Sequence, residues 1–381
     1  MPKLTATRRR FLRRSAAAAT GLLLAPGLIG CGGPKPMPAT ESEPTSPKPT
    51  MPTGKRLGIA LLGLGSYAKG QIAPALTATR HCELRGIITG SPEKIPTWQK
   101  EYGIRDENVY SYDTMDELAD NPAIDVVYVI TPTATHRDFC VRAARAGKHV
   151  WCEKPMAMDP TECQEIIDAC AANNVRLSIG YRMLHEPNTQ AFIELSKKQA
   201  FGSFTDAVAY AGYAGSDPPT DYWRGQRAMG GGALYDMGVY TINGLRYGLQ
   251  QAPVAVLSAR QDRPTEVDVT TEYELEYPGG LRARGATSVV KKYNQLRINA
   301  TDGWHEMQPM QPYNGVRGMT SAGTVLGPPI AGKQQTLQMD DDALAILNDK
   351  PMLAPGSMGK ADVAVIRAII ESAETGRRVA L

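Results

Sequence analysis

A carboxylate and a phenol stand four residues apart near the middle of the chain. Asp236 and Tyr240 lie in the run 230–240, which begins with three consecutive glycines. If this run is helical, residues four apart share one face, so both groups point into one pocket with little bulk at the helix start. The pair is therefore a candidate acid–base site.

A phenol needs a nearby cation to act as a base at neutral pH. The reference pKa of tyrosine is about 10, and a positive charge favours the ionised form. Lys154 is the candidate cation, because it follows the strand-like stretch 149–152. A lysine at the carboxyl end of a strand in an α/β sheet stands where such sheets bind ligands. Single Lys, Asp and Tyr residues are usually solvated or structural, so only their joint context makes Lys154, Asp236 and Tyr240 catalytic candidates.

Residues 57–68 indicate a dinucleotide-binding domain. Leu57–Leu62 has a buried-strand pattern, and residues 63–68, GLGSYA, match the G-x-G-x-x-A variant of the dinucleotide fingerprint. The first glycine allows a tight turn, the second lets backbone approach a pyrophosphate, and Ala68 permits close helix–strand packing. Strand and helix patterns then alternate, which predicts a doubly wound parallel sheet. Further predicted strands are 84–88, 125–130, 149–152 and 176–179, and predicted helices include 134–146 and 160–173.

The end of the second predicted strand favours NADP over NAD. Enzymes that use NAD place an acid there to hold the ribose 2′-hydroxyl. Here no acid ends the strand, while Thr89, Ser91 and Lys94 could face a 2′-phosphate. Glu93 lies close enough to keep NAD open as the alternative cofactor.

The pattern changes after Gly180 to an alternation of apolar and polar residues. It covers 205–210, 270–277 and 281–289, and alternation is typical of strands with one covered face. The predicted fold class is therefore α/β, with an N-terminal Rossmann doubly wound parallel sheet (55–180). A C-terminal α+β domain (181–381) should carry a large, mainly antiparallel open sheet. An open sheet face usually needs covering, which favours a homodimer or homotetramer. A helix predicted at 361–373 is a candidate to pack back on the first domain.

The first thirty residues indicate export. Residues 7–13, TRRRFLR, form a twin-arginine pattern, and a small-residue apolar stretch follows to Gly30. This stretch is too short and too interrupted to span a membrane. Residues 28–31, LIGC, resemble a lipoprotein box in which Cys31 would be lipidated, although an ordinary cleavage site is the alternative. Residues 31–54 are rich in Pro, Thr and Ser and are predicted to form a tether. We expect a periplasmic protein, attached to the membrane only through its signal or a lipid on Cys31.

Charge and cysteine usage exclude several classes of function. The formal charge is +3, but residues 1–30 carry six basic residues and no acid, so the rest has 36 basic and 39 acidic residues. No basic stripe suggests nucleic-acid binding. Apart from Cys31, five cysteines remain without CxxC spacing, and the five histidines are scattered. No disulfide framework and no metal site are therefore expected.

Six motifs occur together in this chain: GLGSYA (63–68), ITPTATH (130–136), AGKHVWCEKPMA (146–157), GYR (180–182), DYWR (221–224) and GGGALYDMGVY (230–240). Taken together, these motifs resemble the Gfo/Idh/MocA family of oxidoreductases over about residues 55–381. Many members carry histidine where Tyr240 stands, whereas tyrosine is typical of the glucose-fructose branch, which this chain resembles most. An export signal fits that branch, and the lipobox cysteine departs from it.

The resemblance implies a sugar site and a cofactor site in one cleft. The residues around the sugar would be Lys154, Arg182, Asp236 and Tyr240. The residues that hold the cofactor would be Gly63, Gly65, Ser66, Tyr67 and Ala68 at the pyrophosphate, Thr89 and Lys94 at the 2′-phosphate, Thr131, Pro132, His136, Glu153 and Lys154 at the nicotinamide, and Trp223, Arg224 and Tyr313.

The function implied is hydride transfer between a sugar carbon and a nicotinamide. Tyr240 would exchange the hydroxyl proton, Lys154 would lower the phenol's pKa, and Asp236 would orient the sugar. Free NADP is not expected outside the cytoplasm, so an exported enzyme would retain its cofactor and recycle it with a second sugar. Alternatives are an ordinary NAD(P)-dependent sugar dehydrogenase or reductase, an NAD-assisted glycosidase, and a non-catalytic sugar-binding lipoprotein.

Overall fold

The folded part of the chain begins just before the first predicted strand. In the computed structural model of the protein, the structure describes residues 54–327, 330 and 332–381. The predicted export signal, Cys31 and the tether up to residue 53 lie outside the described residues. In the part that is described, no helix combines the length and the apolar character needed to cross a membrane.

Six strands form an all-parallel sheet in the order β3-β2-β1-β4-β5-β6. This confirms the predicted Rossmann sheet, and each predicted strand is present within two residues of its predicted bounds. A strand of only two residues was not predicted, because it is too short to show a period. The strands are β1 (Leu57–Leu62), β2 (Cys82–Ile88), β3 (Val109–Tyr110), β4 (Val126–Val129), β5 (His149–Cys152) and β6 (Leu177–Ile179).

Helices cover both faces of this sheet. Successive β1 residues point into two different cores, with Ile59 and Leu61 in one and Ala60 and Leu62 in the other. This two-sided burial explains why β1 is continuously apolar rather than alternating. The helix after β1 starts as a π-helix at Ala68–Ile72 and continues as a short α-helix. The helices are α1 (Ala73–Leu76), α2 (Ile95–Tyr102), α3 (His136–Arg145) and α4 (Pro160–Ala172).

The second sheet has nine strands in the order β14-β13-β12-β11-β7-β10-β9-β8-β15. All neighbours pair antiparallel except β7 and β10, which are parallel. The predicted, mainly antiparallel sheet is thus confirmed. Its strands are β7 (Phe204–Gly212), β8 (Ala255–Asp262), β9 (Thr270–Glu276), β10 (Arg282–Ser288), β11 (Asn294–Ala300), β12 (Gly303–Met307), β13 (Gly318–Thr320), β14 (Val325–Leu326) and β15 (Val379–Ala380).

Helix α6 (Ala233–Leu249) packs against this second sheet and carries the acid–base candidates Asp236 and Tyr240. Small residues on its sheet-facing side allow the close approach, since a Cβ added to Gly248 would lie 2.7 Å from Ile298 Cδ1. The Tyr273 hydroxyl of β9 donates to Thr241 Oγ1 of the helix at 2.6 Å. The other helices of this half are α5 (Pro187–Lys197), α7 (Gln334–Leu347) and α8 (Gly356–Thr375).

The last two helices return to the first sheet. On α7, Thr336 Oγ1 donates to the carbonyl of Ala75 at 3.0 Å, and Asp340 accepts from the Arg80 amide at 2.8 Å. On α8, Gly356 approaches Ile167 of α4 closely enough that an added Cβ would lie 2.9 Å from it. The two sheets and these helices form one compact unit.

Short 3-10 turns make many of the remaining connections. Two of them, at residues 182–185 and 223–225, reach the site described below. The turns are Pro92–Lys94, Asp106–Asn108, Met115–Asp120, Thr133–Thr135, Arg182–His185, Trp223–Gly225, Arg227–Met229 and Pro278–Gly280.

Candidate active site

One cavity of about 320 Å³ lies at the carboxyl end of the parallel sheet, facing α6. It brings together all but two of the described residues that the sequence predicts for the site. The two that do not line it are His136 and Arg182. The predicted residues in its wall are Gly63, Gly65, Ser66, Tyr67, Ala68, Thr89, Lys94, Thr131, Pro132, Glu153, Lys154, Trp223, Arg224, Asp236, Tyr240 and Tyr313.

The glycine loop after β1 forms a cradle at one end of the cavity. Gly63 has a φ of +98°, and a Cβ there would lie 2.6 Å from the carbonyl oxygen of Ile130. A Cβ on Gly65, in contrast, would meet nothing within 4 Å. Backbone at Gly65 therefore faces open cavity space that a diphosphate could fill, and Gly63 makes the turn that exposes it.

The end of β2 supplies hydroxyl groups and a cation to the same end of the cavity. Thr89 is buried, and its Oγ1 accepts from the Ser91 amide at 3.0 Å. Lys94 Nζ donates to the carbonyl of Leu64 at 3.3 Å, which ties it to the glycine loop. Among the described residues that line this end, none is a carboxylate, and Glu93 is not in the wall. These hydroxyl groups and this cation suit the 2′-phosphate of NADP better than the free ribose 2′-hydroxyl of NAD.

Lys154, Asp236 and Tyr240 meet in the wall of the same cavity. Asp236 and Tyr240 lie one turn apart on α6 and both line the cavity, as their spacing predicts. Lys154 Nζ donates to the Asp236 carbonyl at 2.8 Å, lies 3.6 Å from Asp236 Oδ1 and stands 4.7 Å from the centre of the Tyr240 ring. The three side chains therefore form one proton-handling cluster.

The electrostatic surroundings favour ionisation of the Tyr240 phenol. Burial alone would raise the pKa of Tyr240, but the positive charges of Arg182 and Lys154 outweigh burial and lower that pKa. Burial opposes the charge of Lys154 as well, yet Tyr240 and Asp236 raise the pKa of Lys154. Tyr240 is thus the phenol of this cavity that is suited to exchange a proton.

The neighbouring phenols are unsuited to that role. Burial and the charge of Glu153 raise the pKa of Tyr67 well above its usual value. Burial, followed by Tyr240, raises the pKa of Tyr313 to about 12. The Tyr67 and Tyr313 ring centres are 6.2 Å apart, so these two protonated phenols form one wall of the cavity.

Asp236 is held between two cations. Its Oδ2 lies 3.4 Å from Arg224 Nε, and its Oδ1 faces Lys154. The Arg224 guanidinium lies over the Trp223 ring at 4.4 Å and donates to the Tyr222 hydroxyl at 2.9 Å. Held in this way, the Asp236 carboxylate is positioned to accept hydrogen bonds from a hydroxylated ligand in the cavity.

Glu153 is the second carboxylate of the cavity, and it is almost fully buried. It accepts from the Tyr128 hydroxyl at 2.7 Å and from the Lys154 amide at 3.2 Å. Burial raises the pKa of Glu153. Gly180 is required beside it, because a Cβ there would lie 2.7 Å from Glu153 Oε1.

His136 and Arg182 lie behind the wall of the cavity rather than in it. The two ring nitrogens of His136 face the carbonyl oxygens of Thr131 and Pro155 at 2.8 and 2.9 Å. Only a doubly protonated ring satisfies both acceptors, and although burial opposes the charge, the pKa of His136 is raised to about 9. His136 therefore ties together the two loops that carry Thr131 and Pro155 and does not present its ring to a ligand. Arg182 is only 3% exposed and contacts Tyr240 from behind.

Sequence reasoning missed the residue that caps α6. Asp268, two residues before β9, accepts from the Leu234 amide at 2.9 Å and from Thr271 Oγ1 at 2.6 Å. Its own carbonyl accepts from the Ala233 amide at 2.8 Å. This cap satisfies donors at the start of the helix that carries Asp236 and Tyr240. No local pattern could have identified it, since the cap comes from 34 residues away.

The described residues contain neither a candidate metal site nor a disulfide bond. No three His, Cys, Asp or Glu side chains among the described residues are arranged to hold a metal ion. The five cysteines that the structure describes are free and buried.

Both halves of the folded chain have counterparts among known proteins. Residues 57–181 match the family model of the GFO/IDH/MocA oxidoreductases with an NAD-binding Rossmann fold, and residues 189–306 match the GFO/IDH/MocA C-terminal domain. The solved structure of aldose-aldose oxidoreductase from Caulobacter crescentus, complexed with glycerol, is 36% identical with a TM-score of 0.80. The match covers 86% of this chain and 100% of the chain in that structure.

Two characterised relatives are also similar over long stretches. The D-xylose 1-dehydrogenase [NADP(+)] of Haloarcula marismortui is 26% identical over 343 residues, which are 86% of this chain and 94% of that protein. The 1,5-anhydro-D-fructose reductase of Ensifer adhaerens is 30% identical over 200 residues, which are 51% of this chain and 58% of that protein.

Proposed function

The chain belongs to the Gfo/Idh/MocA oxidoreductase family, and on that premise we propose that it is a sugar oxidoreductase that uses a tightly bound NADP. The observation that carries this proposal is that one and the same cavity is lined by a phosphate cradle and by Lys154, Asp236 and Tyr240. The named activities of its relatives, an aldose-aldose oxidoreductase and a D-xylose dehydrogenase, support a sugar as substrate.

The residues of the cavity fit a nicotinamide dinucleotide phosphate. The open space at Gly65 suits the diphosphate, and Thr89 with Lys94 suits the 2′-phosphate. Thr131, Pro132, Glu153 and Lys154 would hold the nicotinamide end. Among the described residues that line the cavity around Thr89 and Lys94, none is a carboxylate, which favours NADP, with NAD as the second candidate.

When bound, the nicotinamide supplies the acceptor or donor of hydride. Tyr240 takes the proton of the sugar hydroxyl during oxidation and returns one during reduction. Lys154 keeps the phenol's pKa low and binds the reacting oxygen, and Asp236 accepts hydrogen bonds from neighbouring hydroxyls. Arg224 fixes Asp236 for that purpose.

We further propose that two sugars react in turn on one retained cofactor. Oxidation of an aldose at C1 removes two hydrogens and gives a lactone, and reduction of the carbonyl of a second sugar takes up two hydrogens and gives a polyol. The predicted export signal supports this cycle, because an enzyme outside the cytoplasm would have no supply of free NADP. Incubation with an aldose and a ketose, without added nucleotide, should give lactone-derived acid and polyol in equal amounts.

The alternatives give different products in that incubation. An ordinary dehydrogenase or reductase would form product only with added nucleotide and would release it in the other redox state. An NAD-assisted glycosidase would cleave a glycoside without net oxidation, and a sugar-binding lipoprotein would form no product.

Two glycine substitutions should separate cofactor binding from folding. Gly65→Ala should weaken NADP binding by about tenfold or more, which corresponds to about 1.4 kcal/mol, because the new methyl group enters the space of the diphosphate. Its free energy of unfolding should stay near that of the native protein, since the methyl meets no protein atom. Gly63→Ala should instead destabilise the fold by about 1–3 kcal/mol. NADP titration and urea unfolding of both variants check this, and equal losses of stability would contradict it.

We propose that the protein is exported by the twin-arginine route and anchored by a lipid on Cys31. Residues 7–13 and the LIGC sequence at 28–31 support this proposal. Replacing Arg8 and Arg9 with lysine should retain the protein in the cytoplasm. Cys31→Ala should move it from the membrane fraction to the soluble periplasmic fraction, and a Cys31→Ala variant that stays with the membrane would refute lipidation at this residue.

We also propose that the open face of the second sheet is covered in a homodimer or homotetramer. Along β8, partly buried residues such as Ala259 alternate with exposed residues such as Ser258 and Arg260, so one side of this strand is not covered by the described helices. Sedimentation velocity should give a dimer or larger species, and a monomer at micromolar concentration would contradict the proposal.

A further inference from the structure

Arg182 carries a buried charge whose hydrogen-bond partners are neutral. Its guanidinium donates to the carbonyls of Gln311 at 2.5 Å and Pro312 at 3.3 Å and to Oε1 of Gln334. Within the described part of the chain, no hydrogen-bond acceptor recorded for it is a carboxylate, and its Nε has no partner. Arginine stays protonated in proteins, so this charge remains in place.

The unpaired charge of Arg182 lies against Tyr240. Arg182 Nη2 is 3.4 Å from the Tyr240 hydroxyl, and Cζ is 5.2 Å from the ring centre. The other cation beside Tyr240 is Lys154, which shares its charge with Asp236. A charge that is not neutralised nearby acts more strongly on the group it faces in a buried site.

We propose that Arg182 is a positioning residue for Tyr240 that sets its proton affinity from behind, and that Gln334 keeps this charge uncompensated. This inference rests on the proposed acid–base role of Tyr240 and adds two residues to it. It also changes the predicted role of Arg182, which acts through Tyr240 and does not touch the sugar.

Gln334 is well placed to hold Arg182 without neutralising it. It is the first residue of α7 and fully buried. Its amide oxygen accepts from Arg182, and its amide nitrogen donates to the Pro312 carbonyl at 3.0 Å. A glutamate has nearly the same shape but would pair with the guanidinium and cancel its charge. An amide therefore fixes the guanidinium without reducing its effect on the phenol.

The same helix supports the cavity with two further buried amides. Gln335 donates to the Tyr67 hydroxyl at 3.4 Å, and Gln338 donates to the Tyr128 hydroxyl at 3.3 Å. Tyr128 in turn holds Glu153. Helix α7 thus contacts the back of the site through neutral groups at three points.

Other charged and titratable groups also face Tyr240. Lys154 and Glu153 approach from the segment after β5, Tyr67 from the glycine loop and Tyr313 from the loop after β12, and Asp236 lies one turn back on α6. These groups are unchanged by substitution at position 334. A comparison of variants at that position, read together with Arg182→Met, therefore keeps these contributions constant.

The test is a titration of the Tyr240 phenol in the purified full-length protein. Ultraviolet difference spectra follow tyrosinate formation with pH, and the same titration in a Tyr240→Phe background is subtracted. Gln334→Glu should raise the midpoint of Tyr240 by about 1 pH unit. A negative charge at the first position of α7 also interacts favourably with the helix dipole, so the Gln334→Glu variant should fold.

Gln334→Met is the matched control, because it removes the amide but adds no charge. It should leave the midpoint of Tyr240 near the native value, since Arg182 keeps its charge. Arg182→Met should raise the midpoint as Gln334→Glu does and serves as the second variant. An unmoved midpoint in Gln334→Glu, or an equal shift in Gln334→Met, would overturn the inference.

This titration needs no sugar and no turnover, so it fails or succeeds independently of the proposed function. A shifted midpoint in a protein that oxidises no sugar would support the role of Arg182 and refute the sugar chemistry. Normal sugar oxidation by the native protein, with an unmoved midpoint in the variants, would support the sugar chemistry and refute the role of Arg182.

Discussion

Replacing Tyr240 with phenylalanine is expected to lower turnover by about 10²–10⁴-fold, the usual contribution of a general acid–base group. The substitution removes only the hydroxyl, and the ring keeps its contacts with Lys154 and Arg182. The cofactor should stay bound, because the phosphate cradle is formed by Gly63 and Gly65 and not by the Tyr240 hydroxyl. Steady-state rates of sugar oxidation and the nucleotide content of the purified variant measure both effects.

The control for this experiment is Tyr247→Phe. Tyr247 lies on the same helix, two turns further along and outside the cavity, where its ring packs edge-on against Phe192. The same loss of a hydroxyl there should leave turnover near the native rate. Near-native turnover of Tyr240→Phe would refute the assignment of Tyr240 as the acid–base group.

Replacing Lys154 with methionine is expected to slow sugar oxidation by about 10²-fold or more and to move its pH profile upward. Oxidation requires the ionised phenol, so its rate rises with pH through the pKa of Tyr240. Lys154 lowers that pKa, and its loss therefore shifts the rising limb to higher pH. Reduction uses the protonated phenol, so its falling limb should shift in the same direction.

Two further variants make the Lys154 result interpretable. Lys154→Arg keeps a cation near Asp236 and should shift the profile less than Lys154→Met. Lys360→Met removes a lysine that contacts Gln164 outside the cavity and should leave the profile unchanged. A Lys154→Met enzyme that is slower but has an unshifted profile would show that Lys154 binds substrate without tuning the phenol.

The features that follow from local sequence were predictable. Strand β1 is continuously apolar because both its faces are covered, and the glycines at 63 and 65 are needed where the chain must turn and open. The four-residue spacing of Asp236 and Tyr240 is enough to place both on one face of a helix. Each of these inferences needs only neighbouring residues.

The features that depend on distant contacts were not predictable. Periodicity shows that a residue is buried, but it does not identify its partner. Asp268 caps α6 from the segment before β9, and Gln334 holds Arg182 from 152 residues away. The resemblance placed His136 and Arg182 next to ligands, whereas backbone carbonyls and a glutamine turn both side chains away from the cavity.

The absorbance of the as-purified protein tests most directly the claim that this site passes two electrons from one sugar to another through a retained NADP. With no nucleotide added, a single aldose should produce the absorbance band of reduced nicotinamide, and a second sugar should then bleach it. Tyr240→Phe should carry the same nucleotide and show neither change. A nucleotide-loaded protein whose band responds to no aldose or ketose in a broad panel would contradict the account, and a nucleotide-free protein would contradict retention of the cofactor.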